Sequence, residues 1–231
     1  MYRAGLPRPG ARLLAAAELV RPGRVVADIG CDHGKLAVYL AMSGRAPRVI
    51  ATDIRPLPLG KARALVAQTG CQGKVECRLG DGLAPLVPGE VQEIVIAGMS
   101  GETMANVLAA VPWVRDESLH FVLLPAARAE RLRRWLCENG FSIKAETPVE
   151  EHGKYYTALS VNYTGTPNHE GDELYYELGR LPETRGPAAA GFIERRLTHL
   201  RRRAAAPLEE GQRHALEKLT NEVEACLQSV K

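Results

Sequence analysis

Residues 25–41 read VVADIGCDHGKLAVYLA. An apolar run ends on Asp28, breaks at Gly30 and Gly34, and resumes with the composition of a helix. Strand, glycine turn and helix in immediate succession form the opening unit of an α/β chain. This turn also holds an acid and an imidazole, Asp32 and His33, where many nucleotide-binding turns place only small residues.

Outward from this stretch the same rhythm recurs. RPGARLLAAAELV, before it, spaces its apolar residues as a helix does, and RPG at 21–23 ends it. After it come RVIATDI and LGKARALVAQTG, VECRLGDGL, EIVIAGM and GETMANVLAAV, then HFVLLPA and RAERLRRWLCENG. Alternating strands and helices predict a parallel sheet covered on both faces. FSIKAETPVEE and KYYTALSVNY are two successive strand patterns, which predicts a closing antiparallel hairpin. The expectation is an α/β, Rossmann-like sheet of seven strands whose functional loops lie at the strands' carboxyl ends.

TGTPNHEGDE, residues 164–173, reads as a linker. Beyond it, AGFIERRLTHLRRRAAA and LEEGQRHALEKLTNEVEACLQSV read as two helices separated near Pro207. Leu216, Leu219, Val223, Cys226, Leu227 and Val230 form a three-four stripe like that of a coiled coil. The predicted organisation is a sheet domain over residues 1–164 and a small helical domain over residues 165–231.

Composition narrows the class. Hydrophobic residues at 45% and charged residues at 25% suit a globular chain, and a net charge of +3 tolerates an anionic partner without demanding one. Five cysteines (Cys31, Cys71, Cys77, Cys137, Cys226) show no paired spacing, which argues against a disulfide framework or a zinc site. No leader pattern and no apolar run of about 18 residues is present, so a cytoplasmic chain without a membrane span is expected.

Four loops carry the chemistry. In the first, Asp32 stands where the D-x-G-x-G-x-G pattern of methyl-transfer enzymes has its middle glycine. A carboxylate there repels a pyrophosphate but suits S-adenosylmethionine, which has no phosphate and carries an ammonium and a sulfonium. Asp28, Gly30, Asp32 and Gly34 are the candidate donor-binding residues of this turn. Asp53, with Ile54, ends the second strand, where an ionised carboxylate accepts from two ribose hydroxyls. Gly80, Asp81 and Gly82 end the third, with Asp81 placed for an adenine amino group. Ala97 and Gly98 end the fourth, beside Met99 and Ser100, where the transferred methyl is expected. Read without a ligand, these are an acid-capped strand end and tight aspartate-glycine turns.

ADIGCDHGKL, ATDI, RLGDGL and IVIAGMSG, followed by RLRRWL, GKYY and YYELG, resemble the bacterial tRNA (adenine(22)-N(1))-methyltransferase family over nearly the whole chain. The resemblance implies a methyltransferase domain, S-adenosylmethionine as cofactor, a helical domain that holds tRNA, and methylation of adenine N1. Two departures stand out: Ser100 replaces the second glycine of AGMGG, and Leu124-Pro125-Ala126 replaces Gln-Pro-Asn.

The reaction implied is direct displacement, helped mainly by proximity and orientation. Asp32 is placed to stabilise the cationic product ring and His33 to take its proton, with Met99 and Ser100 beside the methyl. The rival role for Asp32 is to grip the methionine ammonium. Tyr155 and Tyr156 offer a stacking face, although neighbours on a strand point to opposite sides. Arg3, Arg8 and Arg12, Arg128, Arg131, Arg133 and Arg134, and Arg195, Arg196, Arg201, Arg202 and Arg203 are candidate phosphate contacts. From residue 165 the chain has 10 basic and 11 acidic side chains, so only clustering makes the tail locally basic. Partners are thus a tRNA substrate, with no membrane and no metal. The alternatives are a methyltransferase for another RNA or a small molecule, a donor-holding RNA adaptor without catalysis, and more distantly an NAD oxidoreductase.

Overall fold

The structure is a computed structural model that describes residues 8–231. Arg3 lies outside the described residues. In chain order the elements are α1 (Ala11–Leu19), β1 (Val26–Ile29), α2 (Lys35–Met42), β2 (Val49–Asp53), α3 (Pro56–Gln68), β3 (Val75–Leu79), β4 (Glu93–Ala97), α4 (Gly101–Ala109), β5 (His120–Leu124) and α5 (Ala129–Glu138). They continue with β6 (Phe141–Glu151), β7 (Lys154–Tyr163), α6 (Glu173–Leu178), α7 (Pro187–Ala204) and α8 (Glu210–Val230).

One seven-stranded sheet runs in the order β3-β2-β1-β4-β5-β7-β6. β1 to β5 pair in parallel, and β7 slots antiparallel between β5 and β6, as the closing hairpin predicts. Successive strand residues feed opposite cores, because side chains alternate across a sheet. Val26, Val49, Val95 and Val122 pack under α1, α2 and α3, whereas Ala27, Ile50, Ile94 and Phe121 pack under α4 and α5. Coverage on both faces is why the inner strands read as unbroken apolar runs rather than alternating ones.

The reversal of strand order between β1 and β4 opens a crevice at the carboxyl ends of the strands, where such sheets bind ligands. At the opposite end the buried Glu93 is held by Arg21 and by His120 at 2.6 Å, and His120 also bonds Ser160 at 2.7 Å.

The tail has its own apolar core. Phe192, Ile193, Leu197 and Leu200 of α7 meet Leu216, Leu219, Val223 and Leu227 of α8. Sequence patterning misses α6, which has only six residues. α6 matters because Arg133, wholly buried on α5, donates to the carbonyls of Tyr176 (3.1 Å) and Glu177 (2.9 Å) at its end. The same guanidinium donates to Glu146 of β6 at 2.5 Å, and Glu146 also accepts from Thr157 and from the Arg180 N–H. Gly179 is confined by this knot, since a Cβ there would overlap both Glu146 and Arg133. Arg133 is therefore a buried fastener and is withdrawn from the phosphate contacts expected of it. Arg134 is likewise engaged, with Glu173 at 2.6 Å and over the Tyr176 ring at 4.3 Å. Among the described residues, no helix is long and apolar enough to cross a membrane.

Candidate active site

The turn between β1 and α2 takes left-handed backbone angles at Gly30 (φ 70°), Asp32 (φ 51°) and Gly34 (φ 70°). Aspartate is one of the few side chains that visits this region readily, so Asp32 replaces a glycine without changing the turn. Gly30 is fixed for a different reason: a Cβ there would run into the methyl of Met99, which packs across from the loop after β4. Gly34 faces away from the crevice, against Ala62 of α3.

Asp53 holds the turn in place. Its buried carboxylate accepts the Asp32 N–H at 3.0 Å and the Arg55 N–H at 2.8 Å. The Asp32 side chain is 59% exposed and shares Arg55 with Asp53, the guanidinium standing 3.5 Å from Asp32 and 3.3 Å from Asp53, with His33 at 3.8 Å from Asp32.

Two adjoining cavities meet at the turn, and Arg12, Gly30, Asp32 and Ala97 line both. The larger, about 540 Å³, is lined by Asp53, Ile54, Gly80, Asp81, Gly82 and Gly98, with Met99 on its wall. The smaller, about 270 Å³, takes in Asp28, His33 and Glu151. Asp28 is the outlier in this wall. It is buried, and its Oδ2 has no hydrogen-bond partner. Burial, reinforced by the nearby Asp53 and opposed by the Ala37 N–H, pushes its carboxyl up to about 7. An orphaned acceptor against an acidic turn suits a cationic ligand group and opposes a diphosphate.

The loop after β4 is braced from behind by the loop after β5. Ala126 N–H donates to the Met99 carbonyl at 2.8 Å, and Gly101 N–H to the Ala127 carbonyl at 2.8 Å. A Cβ on Gly101 would overlap the Arg128 carbonyl oxygen. Ser100 caps α4: its hydroxyl accepts the Thr103 N–H at 3.1 Å and bonds the Thr103 hydroxyl at 2.8 Å. Such a cap contributes about 1 kcal/mol, which gives the departure from AGMGG a structural reason.

Residues 10–159 match the family model described as a methyltransferase domain. The chain belongs to this methyltransferase-domain family. It is 34% identical over 148 residues to the tRNA (adenine(22)-N(1))-methyltransferase of Bacillus subtilis (strain 168), covering 64% of this chain and 62% of that relative. It is also similar to the crystal structure of the B. subtilis M1A22 tRNA methyltransferase TrmK, with a TM-score of 0.80, 27% identity, and 97% and 99% of the two chains covered. A Streptococcus pneumoniae protein solved in complex with S-adenosyl-L-methionine is similar at a TM-score of 0.80 and 27% identity, covering 94% of this chain and 98% of that one.

Around the methyltransferase domain's crevice, the expected basic residues divide. Arg12 turns inward: it pairs with Glu151 at 3.2 Å and lies 5.6 Å from the Tyr156 ring, on the cavity wall. Arg8 is exposed, and Arg131 is exposed 3.8 Å from Glu102. Arg128 has a left-handed backbone (φ 59°) and faces a third cavity beside α7. The run 201–203 splits, because neighbours on a helix point about 100° apart. Arg201 pairs with Glu224 of α8 at 2.8 Å, Arg202 faces the third cavity, and Arg203 is exposed. Sequence reasoning missed Arg55 and Glu151, whose place at the turn depends on how β2 and β6 end. Among the described residues no cluster of His, Cys, Asp or Glu is arranged to hold a metal ion.

Proposed function

We propose that this chain transfers a methyl group from S-adenosylmethionine to ring nitrogen 1 of adenine 22 of tRNA in the bacterial cytoplasm. The orphaned Asp28 carboxylate beside the acidic turn carries the choice of donor. The whole-length likeness to a tRNA methyltransferase supports the choice of substrate.

Asp28 would hold the donor's ammonium in the smaller cavity, with Gly30 and Ala97 presenting backbone beside it. Asp53 would take the ribose hydroxyls while keeping the turn closed, and Ile54, Asp81 and the backbone of Gly80 and Gly82 would enclose the adenine ring. When bound, the donor supplies a methyl group already activated on sulfur. The protein's part is then alignment and charge control. N1 of the target adenine would gain the methyl as the methyl–sulfur bond breaks and a neutral thioether leaves, and the ring would stay cationic until its exocyclic amino group loses a proton. Asp32, which lines both cavities, would stabilise that cation, and His33, 3.8 Å from it, would accept the proton.

The deciding assay incubates the chain with labelled donor and unmodified bacterial tRNA, alongside the same tRNA with guanine at position 22. Label should appear as N1-methyladenine at that position and vanish with the substitution. Label elsewhere, or tight binding of donor and RNA without transfer, refutes the reading.

A pH dependence follows from Asp28. With its carboxyl near 7, it is mostly protonated at about pH 6 and mostly ionised at about pH 8. Only the ionised form attracts an ammonium, so donor affinity should rise severalfold from about pH 6 and fall again above about pH 8, where the donor's own amino group loses its proton. Calorimetry should record proton release on binding near the lower end. Asp28→Asn should bind more weakly and lose the rise; a parent chain whose affinity does not rise from about pH 6 removes Asp28 from the ammonium site.

A further inference from the structure

A third cavity, of about 660 Å³, lies between the β5–α5 loop, the start of β7 and one face of α7. Its lining contains five permanently basic side chains, Arg128, Lys154, Arg195, Arg196 and Arg202, against one carboxylate, Glu130. Glu130 stands 3.4 Å from Arg196, which also pairs with Glu177, and 3.9 Å from Arg128, and its buried Oε2 makes no hydrogen bond. Among the described residues Lys154 and Arg202 make no ion pair, so their charge faces the cavity uncompensated. Burial, and then Arg196, hold His199 below its usual value, which disfavours its charged form.

Tyr155 and Tyr156 both line the cavity. Tyr155 also packs on Gly191 of α7, where a Cβ would strike its ring. Tyr156 lines the cavity and meets Arg12, which lines both donor-side cavities. One aromatic–guanidinium pair thus separates this cleft from the reaction crevice. Arg128 ties them a second time, since its carbonyl closes over Gly101 behind the Met99 loop.

We propose that this cleft binds the RNA strand next to the target nucleotide, holding a phosphodiester on Lys154 and Arg202 and a neighbouring base on Tyr156. The inference rests on the RNA methyltransferase reading and goes beyond it by assigning a second nucleotide subsite. Base stacking on an aromatic tolerates any sequence, and phosphate contact with basic groups makes affinity salt-dependent.

The test measures binding of unmodified tRNA to the full chain between about 50 and about 200 mM salt. In the double variant Lys154→Ala/Arg202→Ala, the slope of log affinity against log salt should be shallower by about 1.5 to 2, with each single variant giving about half of that. Donor affinity, read by calorimetry, should stay at the parent value, which also reports that the variants fold. Tyr156→Ala should weaken tRNA binding about tenfold at every salt concentration, and Tyr156→Phe should restore it. If the parent chain methylates tRNA while the double variant keeps the parent's slope, the subsite is wrong and the enzyme reading survives. If the parent neither binds nor methylates tRNA, the enzyme reading itself fails. Inorganic phosphate is the third arm: heat protection by phosphate that the double variant loses, with the tRNA slope unchanged, overturns the proposal in favour of a small-anion site.

Discussion

An Arg133→Met variant should melt about 10 °C below the parent chain. The substitution keeps much of the volume but strips the charge from the centre of a buried network in which the Arg133 Nε already has no hydrogen-bond partner. Glu146 would remain buried with only the Thr157 hydroxyl and the Arg180 N–H as donors, and the carbonyls of Tyr176 and Glu177 would lose their partner. Removing one member of a buried ion pair costs roughly 3–5 kcal/mol, because the other charge is left stranded. For a chain of this size each kcal/mol lowers the melting point by about 2–4 °C. Replacing both partners, Arg133→Met with Glu146→Leu, should regain much of the loss, since a well-packed apolar pair is often as stable as a buried ionic one. Thermal unfolding followed by circular dichroism reads both variants. A single variant melting within about 2 °C of the parent would show that the pair contributes little.

The second large effect is on turnover. Asp32→Asn preserves the size of the side chain and its tolerance for a positive φ, so the turn and the Asp32 N–H bond to Asp53 should survive. On the proposed mechanism, what disappears is the negative charge beside the adenine ring as that ring becomes cationic. The maximal rate of methyl transfer to tRNA should fall about 100-fold, with donor affinity changed less than about twofold. Rapid-quench assays and calorimetry separate the two quantities. If donor affinity falls in step with the rate, Asp32 grips the ammonium and has no role in stabilising the product. Lowering ionic strength should not rescue the variant, because the lost interaction is local rather than long-range steering.

How far the sequence carried these conclusions depends on where each residue's partners lie. The sheet was legible because its strands are short apolar runs closed by glycine or aspartate, and the β6–β7 hairpin because its two strands are adjacent in the chain. The acidic turn stands out in the sequence because its residues are contiguous. The state of Asp28 was not legible: its burial is imposed by helices and loops packed from several directions, and only their sum leaves Oδ2 unpartnered. Arg133 misled for the same reason. RLRRWL reads as an amphipathic surface helix until α6, about 40 residues later, docks on its arginine. Ser100, which departs from the AGMGG pattern, is a helix cap, a role readable from its place one residue before Gly101. The 201–203 run looked like one patch, and helix geometry distributes it over three surroundings.

The Arg133 fastener reaches further than stability. It pins α5, β6 and the end of α6 at one point, while Tyr155 seats α7 on β7 at another. Two separated anchor points hold the tail against the sheet. On the proposed RNA-binding reading, loosening either one would be felt in the cleft between them as well as in the melting point.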